Sequence, residues 1–233
     1  MKVVSPHPWE VTPAEGKRIQ DEFREKVSTY WEPTDVKRVA GVDVGMEGEM
    51  ARAAVVVLSY PELSPLDQSL AQVPVTMSYI PGLLAFREAP AILAACEKLT
   101  SEPDLLIFDG QGLAHPRHFG IASHVGMILD KPSIGCAKSR LWGSHHEPPH
   151  EAGSYTHLYD GEEIIGAVLR TKTGVQPVYV SIGHKIDLPT AIQFTLSCCR
   201  GYRLPEPIRY AHQVAEGEKL KIEGEQKSLF DLM

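Results

Sequence analysis

In "LLIFDG", residues 105–110, four apolar residues run into Asp109, and Gly110 and Gly112 open the backbone directly behind it. Strand alternation puts Leu106 and Phe108 on one face and Ile107 with Asp109 on the other. "VAGVDVG" repeats the device, with Asp43 opposite Val42 and Val44. A buried, unpaired carboxylate is costly, so each aspartate requires a cation or a fixed hydrogen-bond donor. One such residue can merely cap a turn; two on separate apolar strands point to a hard-metal site. Glu88, in "FREAP", offers a third carboxylate, although complementing a helix dipole would also explain it. Three carboxylates from different elements can hold Mg²⁺ with water still bound, the arrangement of phosphoryl transfer. Lys138 reads either as a surface lysine or as a fixed positive charge beside a phosphate. His212 reads equally well as a core histidine or a site residue.

The elements that must position these groups follow from the patterning. Residues 12–30 read as a helix, capped by Thr12 with Pro13 at its first position and Ile19, Phe23 and Val27 on one stripe. Its Lys17, Arg18, Arg24 and Lys26 suit a solvated face or phosphate contact. Three strands follow, over 36–45, 52–60 and 70–79, and Pro74 places the third at an edge. Short connections make them antiparallel. A helix over 90–99, a short apolar strand over 104–109, a helix over 119–130 and a strand over 132–137 then give parallel crossovers. Further strands near 163–171 and 177–183 precede helices near 189–200 and 205–217. The fold class is α/β, a mixed five-stranded core sheet with flanking helices.

The chain has 233 residues, 43% of them hydrophobic, which suits one large soluble domain. We expect a single domain over 1–215 and a flexible charged tail over 216–233. No apolar run approaches a membrane span, and the N-terminus has no signal-like apolar region, so a cytoplasmic monomer is expected. Cys96, Cys136, Cys198 and Cys199 lack C-x-x-C spacing and read as free thiols. The net charge of −7 argues against general nucleic-acid coating but permits a local basic groove. His145, His146 and His150 lie in a proline-rich segment without ligand spacing and read as surface loop.

"GVDVG", "YIPGLLAFRE", "DGQGLAHPRHFGIASHVG" and "IGCAKSRL", in this order, resemble the endonuclease V family of deoxyinosine-directed repair nucleases. The resemblance spans about residues 38–214. It implies a ribonuclease-H-like fold and Mg²⁺ or Mn²⁺ at Asp43 and Asp109, with Glu88 in the same cluster and Lys138 and His212 flanking it. It implies a DNA wedge made of Tyr79, Ile80 and Pro81; Ser78 stands where the family usually has proline. A pocket for the extruded base maps onto Gly82, Leu84, Gly110, Gly112, Gly120 and Ile121, with His115 nearby. His118 and His124 read as structural. The implied reaction cuts the second phosphodiester bond 3′ to a deaminated base, leaving 3′-hydroxyl and 5′-phosphate ends, on DNA or on inosine-containing RNA.

Two other readings stand beside this one. "GVDVG" and "DGQG" also look like phosphate loops of actin-like phosphotransferases or ATPases, although nothing supplies an adenosine site. A catalytically dead binding module would have no need of three carboxylates. In the tail, "QKSLF" at 226–230 resembles the short peptides that hold bacterial sliding clamps. Gln226 would hydrogen-bond in one pocket while Leu229 and Phe230 fill an apolar one.

Overall fold

The computed structural model describes residue 1 and residues 3–222. Helix α1 (Pro13–Phe23) begins at a full capping box, in which Thr12 and Glu15 satisfy each other's backbone N–H groups. A 3-10 turn (Arg24–Lys26) ends it, so the expected helix over 12–30 stops earlier. Then come β1 (Arg38–Glu47), β2 (Met50–Ser59) and β3 (Pro65–Pro74), followed by α2 (Leu84–Lys98), β4 (Leu105–Phe108), α3 (Ile121–Leu129) and β5 (Ser133–Ala137). The chain continues through β6 (Tyr155–Asp160), β7 (Glu163–Leu169), β8 (Val178–His184), α4 (Leu188–Ser197) and α5 (Glu206–Ala215).

All eight strands form one sheet in the order β3-β2-β1-β4-β5-β8-β7-β6. The first five are the expected mixed core: β1, β2 and β3 pair antiparallel, while β1, β4 and β5 run parallel. The last three extend it through antiparallel pairing of β8 with β5. Helices cover both faces. Val39, Leu105 and Ile107 pack toward Ile208 and Ala211 of α5, while Val42, Leu106 and Phe108 pack toward Ile92 of α2 and Val125 of α3. Burying each such large aliphatic side chain stabilises the fold by about 1.5–3 kcal/mol.

Three boundaries depart from the sequence reading. The third strand is Pro65–Pro74, not 70–79, because an edge position tolerates the polar residues Asp67, Gln68 and Gln72. It still ends where Pro74 lacks a ladder donor. Helix α2 starts at Leu84, with Pro90 inside it. Proline read as a first-turn signal therefore placed the start six residues too late. Strand β6 lies partly in the expected loop; only Leu158 of its six residues is buried, so it carries little apolar signal.

No helix among the described residues is long and apolar enough to cross a membrane. Past α5, the Gln68 side chain holds Leu220 by both its N–H and its carbonyl, at 3.2 and 3.3 Å. The clamp-like residues 226–230 lie outside the described residues.

Helix α5 crosses β1 at Gly41, where an added Cβ would lie 1.8 Å from the Pro207 carbonyl oxygen. Gly45, four residues on, has only ordinary contacts, the nearest at 3.7 Å. Gly41→Ala must therefore push α5 off the sheet and should cost about 3 kcal/mol, the upper end for overpacking. Gly45→Ala should change stability by no more than about 0.5 kcal/mol. Denaturant midpoints of the two variants measure the contrast.

Candidate active site

Strand β4 is short, and its pairing with β1 ends at Val42–Phe108. There the Asp109 N–H donates to the Val42 carbonyl at 3.0 Å. Asp109 thus sits beside Asp43 at the point where β1 leaves β4 and continues only against β2. Lys138 follows β5 on the next parallel strand, and its ammonium pairs with Asp109 Oδ2. Asp43 faces α5, whose His212 Nδ1 lies 2.8 Å from Asp43 Oδ2. With an ionised Asp43, Nδ1 carries the proton and His212 Nε2 is left to accept one. Glu88 enters from the second turn of α2. Asp43, Glu88, Asp109, Lys138 and His212 all line one cavity of about 260 Å³.

The electrostatics of this cavity are unfavourable for three negative charges. Burial, then the neighbouring Asp43 carboxylate, raises the Glu88 carboxyl to about 8; Arg87 opposes this, and Asp109 adds to it. Burial also raises Asp109, against the lowering effect of Lys138. Hard oxygen donors gathered against their own repulsion suit a divalent cation. Among the described residues, no three His, Cys, Asp or Glu groups are already closed into a ligand set. Lys138 and His212 instead hold one oxygen of Asp109 and one of Asp43.

A second cavity, about 400 Å³, adjoins the first and shares Leu84, Asp109, Ile121 and Lys138 with it. Tyr79, Gly82, Gly110, His115 and Gly120 also line it. The Tyr79 side chain stands at its mouth, 63% exposed. The Gly82 carbonyl is clamped by Gln20 Nε2 at 3.0 Å, Arg117 Nη2 at 2.6 Å and His115 Nε2 at 2.9 Å. Because His115 Nδ1 accepts from the Arg117 N–H, its Nε2 is the protonated nitrogen. Burial and the Arg117 charge lower His115 to about 4, keeping the ring neutral.

Three of the residues singled out in the sequence lie elsewhere. Gly112 packs behind the cavity, where a Cβ would meet the Ile182 carbonyl oxygen at 2.0 Å. Ile80 leans on the apolar cluster of Phe23, Phe86 and Phe119, and Pro81 is exposed. His118 binds Asp160 at 3.1 Å, and His124 is fully buried with its Nε2 2.6 Å from His7 Nε2, in keeping with structural roles. Sequence reading missed Gln20 and Arg117, which brace Gly82, and Gln111, whose Nε2 donates to the Ser139 carbonyl at 2.9 Å. Gln111 thereby ties the Asp109 turn to the segment carrying Lys138. Nothing in local spacing marks Gln20, 62 residues from Gly82; Gln111 and Arg117 lay inside quoted motifs.

Comparison with known proteins identifies the family of the chain. The profile of the family described as Endonuclease V matches residues 21–213. An endonuclease V from Trichormus variabilis is 53% identical over 218 residues, covering 92% of this chain and 99% of that protein. The crystal structure of endonuclease V from Streptomyces avermitilis superposes with a TM-score of 0.85 at 40% identity, covering 93% of this chain and 96% of that one. The Ciona intestinalis endonuclease V, in complex with a 23mer DNA containing an inosine followed by a ribo-adenosine, gives 0.76 at 28% identity, covering 88% and 97%. With its family profile matched and its relatives covered almost end to end, the chain belongs to the endonuclease V family, as a deoxyribonuclease V-type endonuclease of DNA repair.

Proposed function

We propose that the protein binds DNA at a deaminated adenine, hypoxanthine, and hydrolyses the second phosphodiester bond on its 3′ side. The products carry 3′-hydroxyl and 5′-phosphate ends. The observation that carries this reading is the junction of a cluster of desolvated carboxylates with an adjoining cavity. The first suits phosphodiester chemistry, and the second is within the size range of small-molecule pockets. The inosine-containing DNA held by the Ciona intestinalis relative supports the substrate. An inosine-specific ribonuclease is the second reading, since that ligand also carries a ribonucleotide after the inosine. Family membership leaves no support for the actin-like phosphotransferase.

Asp43 and Asp109 would hold a divalent cation, Mg²⁺ or in its place Mn²⁺, with Glu88 beside them. When bound, the cation would polarise the scissile phosphate and ease deprotonation of the attacking water. Lys138 places its charge next to Asp109, where it meets a phosphate oxygen. His212, oriented through Nδ1 by Asp43, takes a proton at Nε2. Tyr79, with Ile80 and Pro81 behind it, supplies a ring in place of the stacking that the extruded base gives up. Extrusion costs a few kcal/mol, and least for a mispaired base, which itself favours the lesion. Gly82, Gly110, Gly120, Leu84, Ile121 and His115 enclose the base. The protein acts as a cytoplasmic monomer over residues 1–215, and residues 226–230 tether it to a sliding clamp.

Asp43→Asn or Asp109→Asn should abolish metal-dependent cutting while inosine-DNA binding persists. Tyr79→Ala should weaken that binding by about 1–3 kcal/mol. Equal binding losses in all three variants, by fluorescence anisotropy, would contradict this division of roles.

Glu88 gives a pH signature. Its folded pKa of about 8 lies above the ordinary 4.5, so its contribution to stability is full below 4.5 and is lost as pH rises through 8. Thermal unfolding without divalent cation should show that loss, and Glu88→Gln should flatten it. Mg²⁺ should stabilise the wild type more at pH 9 than at pH 6. Identical pH profiles for wild type and Glu88→Gln would refute the assignment.

For the tail, titrating clamp with a peptide of residues 216–233 should show saturable binding that Leu229→Ala/Phe230→Ala removes. Equal, negligible binding by both peptides would end the clamp reading.

A further inference from the structure

Beyond the base cavity, away from the carboxylates, lies a third hollow of about 370 Å³. It shares Arg140 and Leu141 with the base cavity. The groove shares no lining residue with the carboxylate cavity, so the base cavity lies between the two, in the order carboxylates, base cavity, groove. Its walls include Trp142 and Tyr159. Trp142 is 42% exposed and Leu141 is 37% exposed, so two adjacent large apolar side chains face solvent beside the base cavity.

The groove is firmly built. Ser144 and Tyr159 exchange both backbone hydrogen bonds at 2.8 Å, closing the base of the loop that carries Trp142. Arg140 Nη1 donates to the Gly143 carbonyl at 3.0 Å and spans the same turn. Gly143 has φ +85°, and a Cβ there would meet the Tyr159 carbonyl oxygen at 2.7 Å. His118 Nε2 lies 3.1 Å from Asp160 Oδ2, and Trp142 and then His118 lower the Asp160 carboxyl from its usual range. Asp160 is thus engaged within the protein, and Arg140 gives the groove a cation. An exposed indole on a braced loop, beside a guanidinium, is the equipment for stacking a nucleobase and meeting its phosphate.

Strand polarity then assigns the occupant, given the reading in the preceding section. A strand cut on the 3′ side of the lesion runs 3′ from the base cavity toward Asp43 and Asp109. The groove on the other side of the base cavity receives the 5′ side. We infer that the Trp142 groove is a subsite for the nucleotide immediately 5′ of the deaminated base, with Trp142 stacking on that base and Arg140 facing its phosphate.

The test is a binding cycle in the full chain carrying Asp43→Asn, so that nothing is cut. The probes are single strands with deoxyinosine at the 5′ end, the same strands with a short 5′ extension, and matching strands varied in 3′ length. The 5′ extension should tighten binding about tenfold when Trp142 is present and by less than about twofold in Trp142→Ala, with Trp142→Phe restoring most of the gain. Trp142→Ala should leave the 5′-terminal deoxyinosine strand unaffected. Equal weakening of trimmed and extended strands would overturn the subsite, as would no effect on either. Loss of the gain from 3′ length instead would overturn the polarity. Failure of the underlying reading looks different: the chain with Trp142 intact would not prefer 5′-terminal deoxyinosine to deoxyadenosine.

Discussion

Mutual repulsion among Asp43, Glu88 and Asp109 is the constraint around which the rest of the protein is arranged. Burial makes each charge costly, and proximity makes the set costlier. The fold brings the set together by placing Asp43 on β1, Asp109 directly after the parallel β4 and Glu88 on α2. The β1–β4 register fixes Asp43 against Asp109, and the contact of Gly41 with Pro207 brings α5 close enough for His212 to reach Asp43. Lys138 completes the row from β5. Stability is given up at this point, and the apolar faces of the sheet on either side offset it.

The adjoining cavity of about 400 Å³ depends on a different kind of rigidity. Three glycines, Gly82, Gly110 and Gly120, line it, and the backbone there is held by side chains from distant parts of the chain. Gln20, Arg117 and His115 converge on a single carbonyl, that of Gly82, while Gln111 ties the glycine turn to the Lys138 segment. A neutral His115 is essential to this clamp as drawn, because its Nδ1 accepts while its Nε2 donates. The two cavities share Asp109 and Lys138, so on the proposed function a base held in one would place its strand over the carboxylates of the other.

Much of this was legible in the sequence because the signals were local. Apolar runs ending on Asp43 and Asp109 marked the strand ends, and Thr12 marked the first helix. The five-stranded core followed from connection lengths and from Pro74. The resemblance to endonuclease V brought Lys138, His212 and Tyr79 into the site, where spacing left their roles open. What stayed illegible was long-range. Gln20 reaches Gly82 only through the tertiary fold. Pro90 hid the start of α2, and the polar exterior of β6 hid a strand. Gly112 shares a motif with Gly110, yet serves the packing of the turn on β8 instead of the cavity wall.

The most direct test of the central claim is to map the cut in an end-labelled DNA strand containing one deoxyinosine, with Mg²⁺ and then with chelator. The expected result is a single nick at the second phosphodiester bond 3′ to the inosine, with 3′-hydroxyl and 5′-phosphate ends, the base still attached, and no product in chelator. Release of free hypoxanthine without a nick, or undiminished cutting in chelator, would contradict it.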